Sequence, residues 1–274
     1  MKKVVLDSSW PESWKYSYHY DLMEVYGSVS HKAYAYTYAN RRQRLLDIIS
    51  KVASPGARIL DVAAAQGNFT LLLAELGYEM TWNDLREELV DYVKIKHEYG
   101  TINYVPGNIF EINFEDYFDI VLIAEVIEHV AHPDRFLQTI AGLVKPGGYI
   151  VMSTPNGEYI RNTLPKFSKV VDPTMFESIE FQPDADGHIF LLHFDEIQDL
   201  AAKCSLKVEE IHWFNNPLTN GHLKMAALTE FIPRNGIEMV ENLTGRLSQG
   251  IRRKIHTNVV ALFAKLSESL PDGT

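Results

Sequence analysis

The sequence contains a single cysteine, Cys204, among its 274 residues. A lone cysteine excludes an internal disulfide framework and fits a reducing compartment, so the sequence predicts a cytoplasmic protein. Apolar runs are also short: none approaches the roughly 20 residues that a membrane span needs, and the polar residues from Asp7 onward leave no room for a signal-peptide core. Basic residues are outnumbered, with a net charge of −10. This balance argues against a general binder of nucleic acids or anionic membranes.

Seven short segments rich in apolar or β-branched residues are typical of strands, and most are separated by helical patterns. They are Arg58 to Val62, Glu79 to Asp84, Ile102 to Pro106, Phe118 to Ala124, Tyr149 to Ser153, Leu206 to Trp213 and His256 to Ala264. Strands that alternate with helices predict an α/β protein with a doubly wound, Rossmann-like sheet. We expect one domain over residues 1–274, with an N-terminal cap at 1–40 and insertions at 157–193 and 214–254. The insertions would cover an acceptor site or form a contact in a homodimer.

Helical periodicity and helix-ending residues mark the segments between the strands. The patterns run over 38–52, 67–76, 85–97, 134–144 and 194–204, with further helices expected at 222–231 and 237–247 and a helical turn at 21–26. The aromatic-rich start of the chain is not a strand pattern throughout. We therefore predict an N-terminal cap.

The stretch from Phe118 to Asn156 carries the most information about function. An apolar run is followed at once by Glu125, Glu128 and His129, then by a helical pattern, by Lys-Pro-Gly-Gly and by a second apolar run ending in Ser-Thr-Pro-Asn. Strand, helix and strand predict a right-handed crossover in a parallel sheet. Such sheets bind ligands at the carboxyl ends of their strands, which is where the three polar residues lie.

These motifs resemble class I S-adenosylmethionine-dependent methyltransferases. The match is best to the branch that holds the ubiquinone-type and many sugar and natural-product O-methyltransferases. The resemblance implies S-adenosylmethionine as the cofactor, a seven-stranded sheet and an antiparallel last strand. A dinucleotide-dependent dehydrogenase would instead need G-x-G-x-x-G at the start of the first helix, and this sequence lacks it.

The resemblance implies a cofactor loop after the first strand, formed by Asp61, Ala63, Ala65, Gly67 and Phe69. The family carries glycines where this chain has Ala63 and Ala65, because the backbone must pass close to the methionine end of the cofactor. Alanine is the smallest departure from glycine, so the loop could keep its course. The alternative is an ordinary strand–turn–helix without a ligand, in a non-catalytic partner protein that keeps the fold.

Further cofactor contacts are implied beyond that loop. Asp84, followed by Leu85, would accept hydrogen bonds from the ribose hydroxyls, unless Asp84 instead caps the next helix with Glu87 in a capping box. Asn108 and Ile109 would contact adenine, unless Asn108 is only a turn residue. Two more residues complete the implied set: Glu125 near the cofactor, and Arg42 (or its neighbour Arg41) on the cofactor carboxylate, with a solvated helix start as the alternative for the arginines.

For methylation of a hydroxyl, His129 is the best candidate for the general base, because imidazole titrates near neutral pH. A packing role at the turn is the alternative. The E-x-x-E-H pattern also resembles the metal-binding motif of RNA 3′-end 2′-O-methyltransferases and of metal-assisted quinone O-methyltransferases. That resemblance implies an Mg²⁺ or Mn²⁺ site made by Glu125, Glu128, His129 and His188. A metal-bound His129 could not also act as base.

The sequence therefore predicts a methyltransferase that acts on oxygen of a small molecule such as a sugar, nucleotide-sugar, quinone or natural product. Arg161, Lys166 and Lys169 in the first insertion would hold an anionic acceptor, or else form part of a solvated loop. A metal-dependent 2′-O-methyltransferase of RNA 3′ ends is the alternative enzyme. The acidic charge counts against it.

Overall fold

A computed structural model describes residues 1–27, 32–180, 187–217 and 234–266 of the chain. Seven strands form one sheet: β1 (Arg58–Val62), β2 (Glu79–Trp82), β3 (Thr101–Tyr104), β4 (Phe118–Ala124), β5 (Val144–Pro155), β6 (Leu206–Phe214) and β7 (Asn258–Lys265). Their order across the sheet is β3-β2-β1-β4-β5-β7-β6. The strands from β3 to β5 pair in parallel, whereas β7 runs antiparallel to both of its neighbours. The predicted seven-stranded, doubly wound sheet with an antiparallel last strand is confirmed.

The helices lie between and before these strands. They are α1 (Glu12–Glu24), α2 (Lys32–Val52), α3 (Asn68–Glu75), α4 (Leu89–Lys96), α5 (Pro133–Leu143), α6 (Phe194–Lys203), α7 (Arg234–Gly245) and α8 (Gln249–Ile255). The helical turn expected at 21–26 overlaps the end of α1, a helix of 13 residues whose earlier turns were not predicted. The cap boundary proposed at residue 40 falls inside α2. The helix expected at 222–231 lies outside the described residues.

Two predicted boundaries shift for local reasons. The helix expected from Leu85 begins at Leu89, because Asp84 holds the intervening residues in a turn. The Lys-Pro-Gly-Gly segment ends α5 as expected, but β5 already begins at Val144 and is irregular where Gly147 takes a φ of 76°. Glycine allows that conformation at little cost.

Both faces of the sheet are covered, so its central strands have no solvent-facing side. Ile120, Val121, Leu122 and Ile123 of β4 are fully buried. Val121 and Ile123 pack in the cluster that includes α5 and α6, whereas Ile120 and Leu122 pack against α2 and α3. Each such side chain contributes roughly 1.5–3 kcal/mol by leaving water. The rigid centre of the fold is therefore β4, whose carboxyl end carries Glu125.

A buried polar network ties α1 to the rest of the fold. Asp21 of α1 accepts from Lys96 Nζ at 2.7 Å, from Tyr92 Oη at 2.7 Å and from Asn68 Nδ2 at 2.8 Å. Lys96 and Asp21 have no exposed side-chain surface. Burial lowers the pKa of Lys96, and the ammonium is compensated by the carboxylate and by the Asn68 oxygen at 2.9 Å. The network fixes α1 over α3 and α4 because a buried charge must keep its partners.

None of the described helices combines the length and the apolar character that crossing a membrane requires.

Candidate functional site

The loop after β1 follows the course expected of glycines, although it is made of alanines. Ala63 and Ala65 have φ values of 52° and 49°, in the left-handed region, and Gly67 has a φ of 71°. That region costs an alanine on the order of 1–2 kcal/mol per residue. Such strain is retained only where the surrounding structure holds it, and it is typical of ligand-binding sites. The alanines therefore leave the loop's path intact.

The structure separates the residues of this loop into two groups. Ala63 faces a large cavity at the carboxyl ends of the strands. Gly67 instead supports packing, since a Cβ there would lie 2.8 Å from Val93 Cγ1. Phe69 is buried against Tyr38, with ring centroids 5.7 Å apart.

Asp61, at the base of the loop, is buried away from that cavity. It accepts a hydrogen bond from Thr70 Oγ1 at 2.6 Å, which links β1 to the first turn of α3. Burial raises the pKa of Asp61 to about 7, although hydrogen bonds from Thr70 lower it. The described contacts of Asp61 stabilise the loop from behind.

Asp84 follows β2 and lines the cavity. Its carboxylate accepts from the backbone N–H groups of Ala65 and Arg86, at 2.8 and 2.9 Å, and pairs with the Arg86 side chain. The alternative role as a helix cap is wrong, because α4 begins after Glu88 and no side chain caps it. Asp84 instead connects the loops that follow β1 and β2.

The loops after β2 and β3 are joined by another side chain. Asn83 Nδ2 donates to the carbonyl oxygens of Val105 and Gly107, at 2.9 and 3.0 Å. Asn108 accepts from the backbone N–H of Phe110 at 3.1 Å, as a turn asparagine does. Asn108 and Ile109 also line the cavity, so the turn role and a ligand contact are compatible.

The cavity has a volume of about 1040 Å³. Pockets for drug-sized ligands occupy about 300–1,000 Å³, so this one can hold a cofactor together with a small acceptor. It is lined by Glu12, Ser13, Tyr16, Val62, Ala63, Asn83, Asp84, Leu85, Arg86, Glu88, Gly107, Asn108, Ile109, Phe110, Glu125, Val126, His129, Phe136 and Glu180. Most of the predicted cofactor residues are in this set. Asp61, Ala65, Gly67, Phe69 and Arg42 are not.

Glu125 stands at the end of β4 in a left-handed conformation, with a φ of 58°. Ser153 Oγ donates to its carboxylate at 3.0 Å, and Asn258 Nδ2 donates at 3.3 Å. Arg41 Nη1 lies 3.3 Å from the same carboxylate. Of the two neighbouring arginines, Arg41 therefore points toward the site, and its Nε is buried without a hydrogen-bond partner among the described residues.

Glu128 and His129 form a short 3₁₀ turn after β4, and His188 comes to them from the first insertion. The ring centroids of His129 and His188 are 5.0 Å apart. One ligand atom from each of the three residues lies within 4.8 Å of the others. Three of the four predicted metal ligands thus converge, whereas Glu125 is engaged by Arg41.

Glu128 is fully buried and only half satisfied. Its Oε2 accepts from Thr154 Oγ1 at 2.9 Å, but Oε1 has no hydrogen-bond partner among the described residues. Burial, and then the neighbouring Glu125 carboxylate, raises the pKa of Glu128 well above its usual range. A buried oxygen without a partner is costly unless a further group, such as a proton or a cation, meets it.

The described part of the first insertion covers this end of the cavity. It packs Phe167 and Phe176 on the buried Phe190, and its carboxylates pair with the segment after β4. Glu177 pairs with His132 at 2.7 Å, and Glu180 accepts from the backbone N–H of Ala131. The cations expected to meet an anionic acceptor lie elsewhere. Arg161, Lys166 and Lys169 do not line the cavity, and Lys166 pairs with Asp195.

The architecture agrees with that of known proteins. A profile of a methyltransferase domain family matches residues 31–211. This chain belongs to the class I S-adenosylmethionine-dependent methyltransferases. Its relatives include a ubiquinone biosynthesis O-methyltransferase of Xanthomonas campestris pv. campestris, 33% identical over 139 residues, which are 45% of this chain and 58% of that protein. The enzyme of the same name from Coxiella burnetii is 34% identical over 139 residues. The chain thus spans somewhat more than half the length of these relatives.

Solved structures support the methyltransferase fold at low sequence identity. An S-adenosylmethionine-dependent methyltransferase from Mesorhizobium loti has a TM-score of 0.55 at 16% identity, covering 81% of this chain and 96% of that one. The [4+2]-cyclase SpnF has a TM-score of 0.53 at 12% identity, covering 82% and 80%. A cyclase among the neighbours means that the fold alone does not determine the reaction.

The signals that sequence reasoning missed are the buried contacts of α1 and the choice of Arg41 over Arg42. The partners of these side chains are distant in sequence, as Lys96 is from Asp21. The available signal was the helical spacing of Tyr38, Arg41 and Leu45, which places Arg41 on the buried face of α2.

Proposed function

We propose that this chain transfers a methyl group from S-adenosylmethionine to an oxygen atom of a small-molecule acceptor. The observation that carries the proposal is the cavity, which joins the loops after β1, β2 and β3 to Glu125 and His129 after β4. The relatives named as ubiquinone biosynthesis O-methyltransferases favour oxygen as the methylated atom.

The residues at the cofactor end fit that group. The left-handed Ala63 leaves the backbone open to a ligand, Asp84 supplies a carboxylate for hydroxyl groups, and Ile109 supplies an apolar surface for a flat ring. Arg41 and Glu125 would hold the charged methionine end. When bound, S-adenosylmethionine supplies a methyl group made electrophilic by a sulfonium.

His129 would take the proton from the acceptor hydroxyl. Its Nδ1 lies 3.3 Å from the carbonyl oxygen of Gly187, which can only accept, so the ring proton resides on Nδ1 and the lone pair on Nε2. Val126 and Phe136 line the cavity beside it and would exclude water from the reacting atoms.

The charges around the cavity favour an acceptor without phosphate groups. Among the described lining residues, Arg86 is the only lysine or arginine, and Asp84 already neutralises it. Glu12, Glu88 and Glu180 line the same space. An anionic sugar phosphate or an RNA end would meet this acidic lining and be repelled.

The proposal is tested with His129→Ala and, as a matched control, His97→Ala at the end of α4. Transfer of labelled methyl to a panel of catechols and hydroquinones should fall by roughly 10²–10⁴-fold in the first variant, while its affinity for S-adenosylhomocysteine stays within a fewfold. The control should retain both the methyl-transfer activity and the affinity for S-adenosylhomocysteine of the unaltered protein. Failure of the unaltered protein to bind S-adenosylhomocysteine in a calorimetric titration would refute the proposed function.

A second mode of catalysis is favoured by Glu128, His129 and His188. A carboxylate and two imidazoles suit Mn²⁺ or, less well, Mg²⁺, and a cation would meet the unpartnered Glu128 Oε1. Such an ion would lower the pKa of the acceptor hydroxyl, and His129 would then be a ligand and not the base.

Chelation separates the two modes. Full activity after exhaustive chelation leaves His129 as the base. Loss of activity that Mn²⁺ or Mg²⁺ restores makes it a ligand, and then His188→Ala should weaken the binding of the ion in a titration followed without substrate.

A further inference from the structure

Groups of the protein itself occupy every acceptor position of the Asp84 carboxylate. Oδ1 accepts from the backbone N–H of Arg86 and from Arg86 Nε, both at 2.9 Å. Oδ2 accepts from the backbone N–H of Ala65 at 2.8 Å and from Arg86 Nη2 at 3.2 Å. A carboxylate offers about four lone-pair sites. Ribose hydroxyls therefore cannot bind Asp84 until one of these donors leaves.

The Arg86 guanidinium is the donor that can leave. The other two donors are backbone N–H groups, held in place by the loops after β1 and β2. The Arg86 side chain is 43% exposed, whereas that of Asp84 is 4% exposed. When the guanidinium leaves, Asp84 keeps the two backbone N–H donors, so its carboxylate is not left without partners, and water solvates the exposed guanidinium.

We propose that Arg86 is a gate on the cofactor site. Its guanidinium occupies the ribose-binding oxygens of Asp84 before the cofactor binds and swings away when the cofactor arrives. The inference rests on the proposed function, because it takes the cofactor role of Asp84 as given.

The mouth of the cavity offers the released guanidinium new partners. Glu12 of α1 and Glu88 before α4 line the same space as Arg86. The backbone carbonyl of Glu88 also accepts from Trp14 Nε1 at 2.8 Å, so α1 and the start of α4 are already in contact there. Glu12 is 89% exposed, so a pair with it would keep the guanidinium away from Asp84 but add little to the affinity for the cofactor.

The gate predicts an effect opposite in sign to that of a residue that contacts the cofactor. Arg86→Ala, and likewise Arg86→Gln, should tighten binding of S-adenosylhomocysteine by roughly two- to fivefold, because competition for Asp84 is removed. The measurement is a calorimetric titration of the full chain. Arg135→Ala, which removes an exposed cation of α5 outside the cavity, is the matched control and should leave the affinity unchanged.

A double-mutant cycle makes the test specific to Asp84. In a chain that already carries Asp84→Asn, Arg86→Ala should give no gain, because no carboxylate remains to be released. Weaker or unchanged binding by Arg86→Ala alone overturns the gate, as does an equal gain in the Asp84→Asn background. If neither the unaltered chain nor Arg86→Ala binds the cofactor at all, the proposed function fails and the gate fails with it. The two failures are thus distinguishable.

Discussion

The two ends of the cavity are covered in different ways. Over the cofactor end, α1 is fixed by Asp21 and Lys96, an ion pair with no exposed side-chain surface. Over the acceptor end, the first insertion packs Phe167 and Phe176 on Phe190, and its ion pair between Glu177 and His132 reaches the surface. A buried pair cannot open without stranding a charge, whereas an exposed pair exchanges readily with water.

This difference indicates which cover can move. We infer that α1 is the permanent cover and the described part of 157–180 the movable one, because parting its apolar contacts and its exposed ion pair strands no buried charge. Binding of the acceptor then needs no disruption of the cofactor end.

The largest effect should come from the buried pair. Lys96→Met leaves Asp21 charged and uncompensated, and should lower the free energy of unfolding by about 3–5 kcal/mol. Chemical denaturation measures it. The double variant Lys96→Met with Asp21→Asn should recover part of the loss, because no unpaired charge remains.

The acceptor side supplies the matched comparison. Glu177→Gln breaks the exposed pair with His132 and should cost less than about 1 kcal/mol. Equal losses from Lys96→Met and Glu177→Gln would contradict the distinction between a permanent and a movable cover.

Asp84→Ala comes next and should act on the cofactor end alone. It removes the charge-assisted hydrogen bonds to ribose that we propose for Asp84, and should weaken binding of S-adenosylhomocysteine by about 1–3 kcal/mol. Titration calorimetry measures the loss. Unchanged affinity would remove Asp84 from the cofactor site.

The end of the cavity that we propose for the cofactor could be located from sequence because it is made of short loops that directly follow strands. Asp84, Asn108 and Ile109 line the cavity where the strand pattern placed them. Glu125 does so as well. Such positions follow from local sequence, because each residue is placed by the strand that directly precedes it.

The remaining features depend on contacts between distant parts of the chain. Helix α1 escaped prediction because aromatic residues occur all around it and leave no apolar stripe. No local rule indicates that Asp21 and Lys96 are buried together. The sequence around Arg161, Lys166 and Lys169 indicates a cationic segment. It does not indicate that these side chains lie outside the cavity.

We predict that the stability of the folded chain depends on pH through the buried Asp61. Its pKa is raised to about 7 in the folded chain, against about 3.9 when unfolded. Between these values the folded state keeps a proton that the unfolded state has lost, so Asp61 makes stability fall as pH rises from about 4 to 7 and adds no change above that range. This decrease in the free energy of unfolding amounts to up to about 1.4 kcal/mol per pH unit, and Asp61→Asn should abolish it.

The comparison between Asp61→Asn and Asp91→Asn isolates this contribution. Asp91 is exposed on α4, so its replacement should leave the slope of stability against pH unchanged. Denaturation at pH 5 and pH 7 measures both slopes. Identical slopes for the Asp61→Asn variant and the unaltered chain would show that Asp61 does not hold this proton.

A small effect on stability tests the strained loop. Ala65→Gly should raise the free energy of unfolding by about 1 kcal/mol, since glycine adopts a positive φ without strain. Ala64 lies next to it without a left-handed φ, so Ala64→Gly should lower stability by about 0.5–1 kcal/mol. Equal signs for the two variants would mean that the loop does not hold Ala65 in that conformation.

Hydrogen exchange with and without S-adenosylhomocysteine, followed along the chain by mass spectrometry, tests whether the cofactor binds at the carboxyl ends of β1, β2 and β3. We predict slower exchange in the loops that follow β1, β2 and β3, at 62–69, 83–88 and 107–110, with α7 unchanged. Binding that leaves those loops unprotected, or that protects only α7, would show that the cofactor does not bind at these strand ends.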